Sequence, residues 1–154
     1  MLGSSFKSAP FVSVIQEQQE LIHLATNAEQ ATSTQTTLTA AYQNFVATTD
    51  LTVTSAQTQV LQYLLINHQK IKSIDLDAKV SSGLDAELTT SAANGTYTST
   101  LDQIMSTQLS TYQAILQAAY SATSGAKGHA LLKSDFDQAS LLIKELNQAS
   151  GSSS

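Results

Sequence analysis

The chain has no Cys, no Arg and no Trp among its 154 residues. Without Cys it forms no disulfide bond and offers no thiolate for catalysis or metal binding. Without Arg, only seven Lys stand against twelve carboxylates, and the formal net charge is −5. Because basic side chains supply the affinity for phosphate groups, this balance argues against nucleic acid and against anionic membrane surfaces as partners.

Long apolar runs and dense charge are lacking as well. No stretch approaches the ~18 consecutive apolar residues that cross a bilayer, so we predict no transmembrane segment. Charged residues make up 12% of the chain, about half the usual share. Intrinsic disorder combines low hydrophobicity with high net charge, whereas apolar residues here reach 42%. The composition therefore predicts a folded domain.

Neutral polar residues dominate what is present, because 56 residues are Ser, Thr or Gln. Apolar side chains recur among them at every third or fourth position, which is the period of an amphipathic helix. A first stripe runs from residue 11 to 47, and we expect a kink or a break at the β-branched run 32–39. Residues 48–50 are predicted to form a short connection.

Further stripes follow along the rest of the chain. A second helix is predicted from residue 53 toward Val80, and a short one over residues 84–93. A third long stripe begins near Leu101, and Gly128 is predicted to separate it from the last helix.

Long amphipathic helices joined by short polar loops pack most simply as an antiparallel bundle. We therefore predict an all-α fold, an antiparallel bundle of four or five amphipathic helices. The bundle domain is predicted to occupy residues 10–149. A flexible N-terminal segment, 1–9, precedes it, and a flexible Ser-rich tail, 150–154, follows it.

One spacing resembles a metal site but is incomplete. Glu20 and His23 have the Glu-x-x-His spacing of di-iron bundles, in which both ligands share one helix face. Such a site needs a second copy, and neither His68 nor His129 has an acid three residues before it. Asp75 begins a calcium-loop pattern that fails at Lys79, Val80 and Ala86. We predict no metal ion and no cofactor.

Catalytic motifs are not recognisable either. Ser is abundant, but the chain has no Gly-x-Ser-x-Gly turn and no glycine-rich phosphate loop. We therefore predict no catalytic residue and a protein that is not an enzyme.

Two functions compete. The first is a secreted or cell-surface helical module that acts through protein–protein contact or self-association, in a structural, coat, fibre or adhesive role. A neutral surface with little charge permits such lateral association. Asn94 begins an Asn-Gly-Thr sequon and is a candidate glycosylation site, which fits secretion.

The alternative is a carrier that holds a small apolar, fatty-acid-like ligand between its helices. The second helix has an unusually wide apolar face, on which we expect His68 to be partly buried. The competing interpretation of the five tyrosines places their hydroxyl groups in water at the bundle edges. The pocket of the alternative would be lined by Leu64, His68, Ile71, Tyr112, Ile115 and Tyr42.

Overall fold

The structure is a computed structural model that describes residues 6–34 and 38–152, without the side chains of residues 32–34 and 152. Every regular element in these residues is helical, which confirms the predicted all-α bundle. The helices are α1 (Ala9–Thr34), α2 (Ala40–Ile66), the single turn α3 (Ser73–Leu76), α4 (Ser82–Ala93), α5 (Tyr97–Ala122) and α6 (Ala126–Ser152). A 3-10 turn, Asp77–Lys79, follows α3.

The four long helices form the bundle, and each packs against two antiparallel neighbours. α1 packs on α2 and α5, and α6 packs on the same two helices from the opposite corner. The start of α2 meets the end of α6 at Tyr42 and Ser150, and the start of α5 meets the end of α1 where Tyr97 bonds Asn27. These two contacts show that α2 runs antiparallel to α6 and that α5 runs antiparallel to α1.

Residues 67–96 cross the length of the bundle between α2 and α5. The crossover runs along α1: the Gln16 amide donates to the Asp75 carbonyl at 2.9 Å, and the Ser81 N–H donates to the Glu20 carboxylate at 2.8 Å. As a result α2 and α5 point the same way, which is the connectivity of bundles with one long crossover.

The first apolar stripe breaks where threonines are dense, within the range predicted. α1 ends at Thr34 and α2 begins at Ala40, so the stripe forms two helices. The Thr39 hydroxyl caps α2 by accepting the Tyr42 N–H at 3.2 Å. Residues 35–37 lie outside the described part of the chain.

Two predicted boundaries of the second helix are wrong. α2 continues through residues 48–50, where the buried Thr49 hydroxyl donates to the Phe45 carbonyl at 2.8 Å. Because this bond satisfies the hydroxyl inside the helix, the threonine run does not end it. At its other end α2 stops at Ile66 instead of continuing toward Val80.

The stop at Ile66 is a Schellman motif built on a residue other than glycine. His68 has a φ of 64°, and its N–H donates to the Leu65 carbonyl at 2.9 Å while the Gln69 N–H donates to the Leu64 carbonyl at 2.8 Å. The chain turns away from the helix at this point. His68 is therefore exposed, and the expectation that it lies partly buried on the apolar stripe is wrong.

α6 is longer at both ends than predicted. Gly128, expected to separate two helices, lies in its first turn. At the other end, Ser150 and Gly151 belong to α6, so the helix extends into the segment expected to be a flexible tail. The Ser150 hydroxyl hydrogen-bonds both Tyr42 and Asp102, which ties the last turn to α2 and α5.

Candidate functional site

The residues predicted to line an apolar pocket do not share one site. Tyr42 and Leu64 lie on the same helix, 22 residues apart, which is about 33 Å at 1.5 Å per residue. Five surface clefts of the described chain are lined by other residues. Of the six predicted residues, the structure buries Tyr42, Leu64 and Tyr112, half-buries Ile71 and Ile115, and exposes His68.

Three tyrosines expected at wet bundle edges are instead buried. Tyr42 and Tyr97 donate their hydroxyl hydrogens to Asp102 and to Asn27, the latter at 3.1 Å. Burial raises the pKa of both tyrosines to about 12. Their hydroxyl groups therefore act as hydrogen-bond donors at neutral pH, and near one end of the bundle they join α2 to α5 and α5 to α1.

A buried polar cluster joins three helices in the middle of the bundle. The Gln18 amide donates to the Tyr112 hydroxyl at 2.8 Å and to Asp135 Oδ2 at 3.3 Å. All three side chains are at most 2% exposed. Burial raises the pKa of Asp135 to about 7, although the Gln18 bond opposes the rise. Burial, and then the Asp135 charge, also raises the pKa of Tyr112. The cluster therefore contains a carboxyl group that exchanges its proton near neutral pH.

Two glutamates of α1 are buried beneath the crossover. Glu17 is 4% exposed and Glu20 is 2% exposed. Burial raises the pKa of Glu17 to about 8; the nearby Glu20 adds to this rise, and Lys79 opposes it. Burial also raises the pKa of Glu20, although the hydrogen bond from Ser81 lowers it. Glu17 is therefore largely protonated at neutral pH.

Sequence reasoning missed Glu17 and Asp135 as buried groups. Both have the spacing of the apolar stripe on their helix. Glu17 lies three residues after Val14 and four before Leu21, and Asp135 lies three residues after Leu132. This spacing is the feature of the sequence that could have identified the two carboxyl groups as buried.

The Glu-x-x-His pair of α1 contacts the crossover. His23 Nε2 lies 2.8 Å from Asp85 Oδ2, at the start of α4, while Glu20 accepts the Ser81 N–H. Asp77 accepts a bond from Gln19 at 2.9 Å. Within residues 6–34 and 38–152, no group of three or more His, Cys, Asp or Glu is placed to hold a metal ion.

An aromatic cleft lies at the end of the bundle where α1 and α6 begin. Phe6 stacks on Phe11 with ring centroids 5.8 Å apart, and the Tyr63 ring meets Phe6 edge-on at 5.5 Å. The cleft measures about 410 Å³, and its opposite wall is formed by residues 121–125, from the end of α5 to the residue before α6.

A neutral face with two projecting leucines lies between α2 and α6. Leu51 is 74% exposed and Leu141 is 63% exposed. Leu51 neighbours Thr48 on α2, and Thr48 in turn neighbours Thr52, because residues three or four apart are neighbours on a helix. These threonines line a groove of about 490 Å³ against α6, and Leu141 lies in it. We define the α2–α6 face by the groove residues Thr48, Thr52, Gln138, Leu141, Lys144, Glu145 and Gln148, together with Leu51, the helical neighbour of Thr48.

The candidate glycosylation site is accessible. Asn94 is exposed and follows the last residue of α4, and Gly95 continues the turn with a φ of 76°. Glycosylation of Asn94 stays a prediction.

Comparisons with protein-family models, with curated proteins and with solved structures found no match. Among the described helices, none is both long enough and apolar enough to span a membrane.

Proposed function

We propose that the protein is a non-catalytic helical module that acts through protein–protein contact, and that two copies associate through the α2–α6 face. The observation that carries the proposal is the pair of projecting leucines, Leu51 and Leu141, on a face made otherwise of Thr and Gln with one Lys and one Glu. Removing these leucines from water favours association, because burying one Leu side chain contributes about 1.5–3 kcal/mol.

The two charges of the face complement each other when two copies meet. A twofold axis brings the same patch of both copies together. Lys144 and Glu145 both line the groove, so Lys144 of each copy can approach Glu145 of the other. With only these two charges lining the groove, little repulsion opposes contact. Opposite charges at the rim favour the correct orientation more than they add affinity.

The biological setting that we propose is a secreted or cell-surface structure such as a fibre, coat or adhesive layer. Support comes from the neutral Ser, Thr and Gln surface and from the accessible sequon at Asn94. The alternative, a carrier of an apolar ligand, has less support because the six residues expected to form its pocket are spread along the bundle.

The proposal is tested with the double variant Leu51→Ser/Leu141→Ser, compared with the wild type by sedimentation equilibrium. We expect the variant to weaken self-association at least tenfold, since 1.4 kcal/mol corresponds to a factor of ten. A matched control is Leu65→Ser/Ile74→Ser, which removes two equally exposed apolar side chains elsewhere. Equal self-association of the wild type and Leu51→Ser/Leu141→Ser would exclude this face as the interface.

A further inference from the structure

One end of the bundle is basic, although the chain as a whole is acidic. α1 and α6 begin at this end, and α2 and α5 finish there. Tyr63, near the end of α2, contacts Phe11, near the start of α1, and both rings lie close to Gly128 in the first turn of α6. We call it the basic end. It is formed by the segments 6–11, 63–74 and 119–131, which contain Lys7, Lys70, Lys72 and Lys127 and no Asp or Glu. The rest of the chain carries three Lys and all twelve carboxylates.

Large aliphatic side chains project from the same end. Leu65 and Ile66, in the last turn of α2, are 61% and 65% exposed, and Ile74 is 77% exposed. Between them along the chain lie the exposed Lys70 and Lys72. None of these five side chains lines any of the five clefts described above. These five side chains therefore project outside the aromatic cleft that lies at the same end, and we call them the basic–apolar patch.

We propose that the basic end docks on an anionic lipid surface. Aliphatic side chains that project beside lysines suit the boundary between headgroups and acyl chains, where the apolar groups enter and the ammonium groups meet the lipid phosphates. A bilayer accepts projecting side chains, whereas domains that recognise acidic motifs use clusters of Arg, and this chain contains no Arg. The patch therefore matches a lipid surface better than an acidic protein segment.

The net charge of −5 argues against an anionic membrane as a partner of the chain as a whole, but it does not prevent contact through the basic end. Charges are screened over about 8 Å at physiological salt, whereas a 26-residue helix such as α5 is about 39 Å long. The first carboxylates after the patch are Asp75 and Asp77. Gln19 bonds the Asp77 side chain and Gln16 bonds the Asp75 carbonyl, which holds this part of the crossover against α1. Gln16 lies seven residues into α1, about 10 Å from the start of that helix. Asp75 follows Ile74 directly, so it is the one carboxylate beside the patch, against the four lysines of the basic end.

Vesicle flotation tests the proposal with the full chain. We expect binding to vesicles of phosphatidylcholine and phosphatidylserine, none to phosphatidylcholine alone, and release as salt is raised. Each basic residue near an anionic surface strengthens binding about fivefold, so Lys70→Gln/Lys72→Gln should weaken it about 25-fold. Leu65→Ser/Ile74→Ser should also weaken binding, while the control Leu51→Ser/Leu141→Ser, on the α2–α6 face, should bind as the wild type does.

Three results would overturn the proposal. They are the absence of flotation with phosphatidylserine at low salt, equal binding to both kinds of vesicle, and wild-type binding by Lys70→Gln/Lys72→Gln. Capture on polyglutamate beads without vesicle binding would assign the basic end to an acidic polypeptide instead. Leu65→Ser/Ile74→Ser and Leu51→Ser/Leu141→Ser change different surfaces. A negative result for lipid binding therefore leaves the test of self-association unaffected.

Discussion

At the scale of the residue, His68 adopts a left-handed backbone conformation that costs an L-residue about 1–2 kcal/mol. Its φ is 64° and its side chain is exposed, so replacing it should sacrifice little packing. We expect His68→Gly to raise the free energy of unfolding by about 1 kcal/mol, the gain being reduced by the greater freedom of glycine in the unfolded chain. Urea denaturation measures this.

The control for His68→Gly is the opposite exchange at Gly95, whose φ is 76° with open space around it. Gly95→Ala should lower the free energy of unfolding by about 1 kcal/mol, since alanine disfavours positive φ. A loss of stability in His68→Gly would show that the imidazole contributes more than the backbone conformation costs.

The buried carboxyl groups should make the protein less stable as pH rises. The folded pKa values of Glu17 and Asp135, about 8 and about 7, lie above the ordinary values of 4.5 and 3.8. The folded state therefore keeps protons that the unfolded chain has released. The free energy of unfolding should fall between about pH 4 and pH 8, by up to about 1.4 kcal/mol per pH unit for each group. Denaturation curves across this range measure the slope.

Neutral substitutions identify the groups responsible for the slope. Glu17→Gln and Asp135→Asn should each flatten the pH dependence, because the substituted side chain no longer titrates. Glu87→Gln, at an exposed position of α4, should leave it unchanged. Stability that rises from pH 4 to pH 8 in the wild type, or a slope unaffected by Glu17→Gln, would show that the carboxyls are not held protonated.

At the scale of the element, the first turn of α6 packs closely on α1 and α2. A Cβ at Gly128 would lie 2.8 Å from Cζ of Phe11 and 3.0 Å from the Tyr63 hydroxyl. Overpacking costs about 1–3 kcal/mol, whereas a helical Gly→Ala exchange gains at most about 1 kcal/mol. We expect Gly128→Ala to lower the free energy of unfolding by about 1 kcal/mol, measured by urea denaturation.

The matched control for this contact is Gly83→Ala in α4, where the nearest atom, the Ser81 hydroxyl oxygen, is 3.5 Å away. That exchange should be neutral or stabilising by up to about 1 kcal/mol. Equal stabilisation by Gly128→Ala and Gly83→Ala would mean that the rings of Phe11 and Tyr63 move aside without cost.

The helices could be predicted from the sequence, but several of their ends could not. The three- and four-residue spacing of apolar side chains indicates the bundle, and the threonines at 32–39 indicate the first break. The end of α2 was missed because a histidine, His68, occupies the position where glycine is expected. Gly128 was taken as a helix end, although it serves as a close contact inside α6. Local signals do not reveal which glycine ends a helix and which one packs.

The surfaces were harder to predict than the core. Leu51 and Leu141 lie off the buried stripes, and only the packing of α2 beside α6 brings Leu141 into one groove with Thr48, the helical neighbour of Leu51. The predicted pocket failed because residues assigned to it by chemistry lie at different levels of the bundle. Sequence patterns specify which side of a helix is buried, but the pairing of helices decides which exposed side chains become neighbours.

At the scale of the whole molecule, the charges are segregated. The lysines at positions 7, 70, 72 and 127 gather where four helix ends converge, while all twelve carboxylates lie in the rest of the chain. The overall composition conceals this, since it counts charges without locating them. The molecule thus presents two distinct surfaces, a neutral α2–α6 face along its side and a basic end.

Association of the chain with itself is the central functional claim, and the molar mass of the unmodified protein in solution tests it most directly. Sedimentation equilibrium over a wide concentration range should give a mass that rises from 16.3 kDa toward twice that value as concentration increases. A mass that stays at 16.3 kDa throughout the range would contradict the claim.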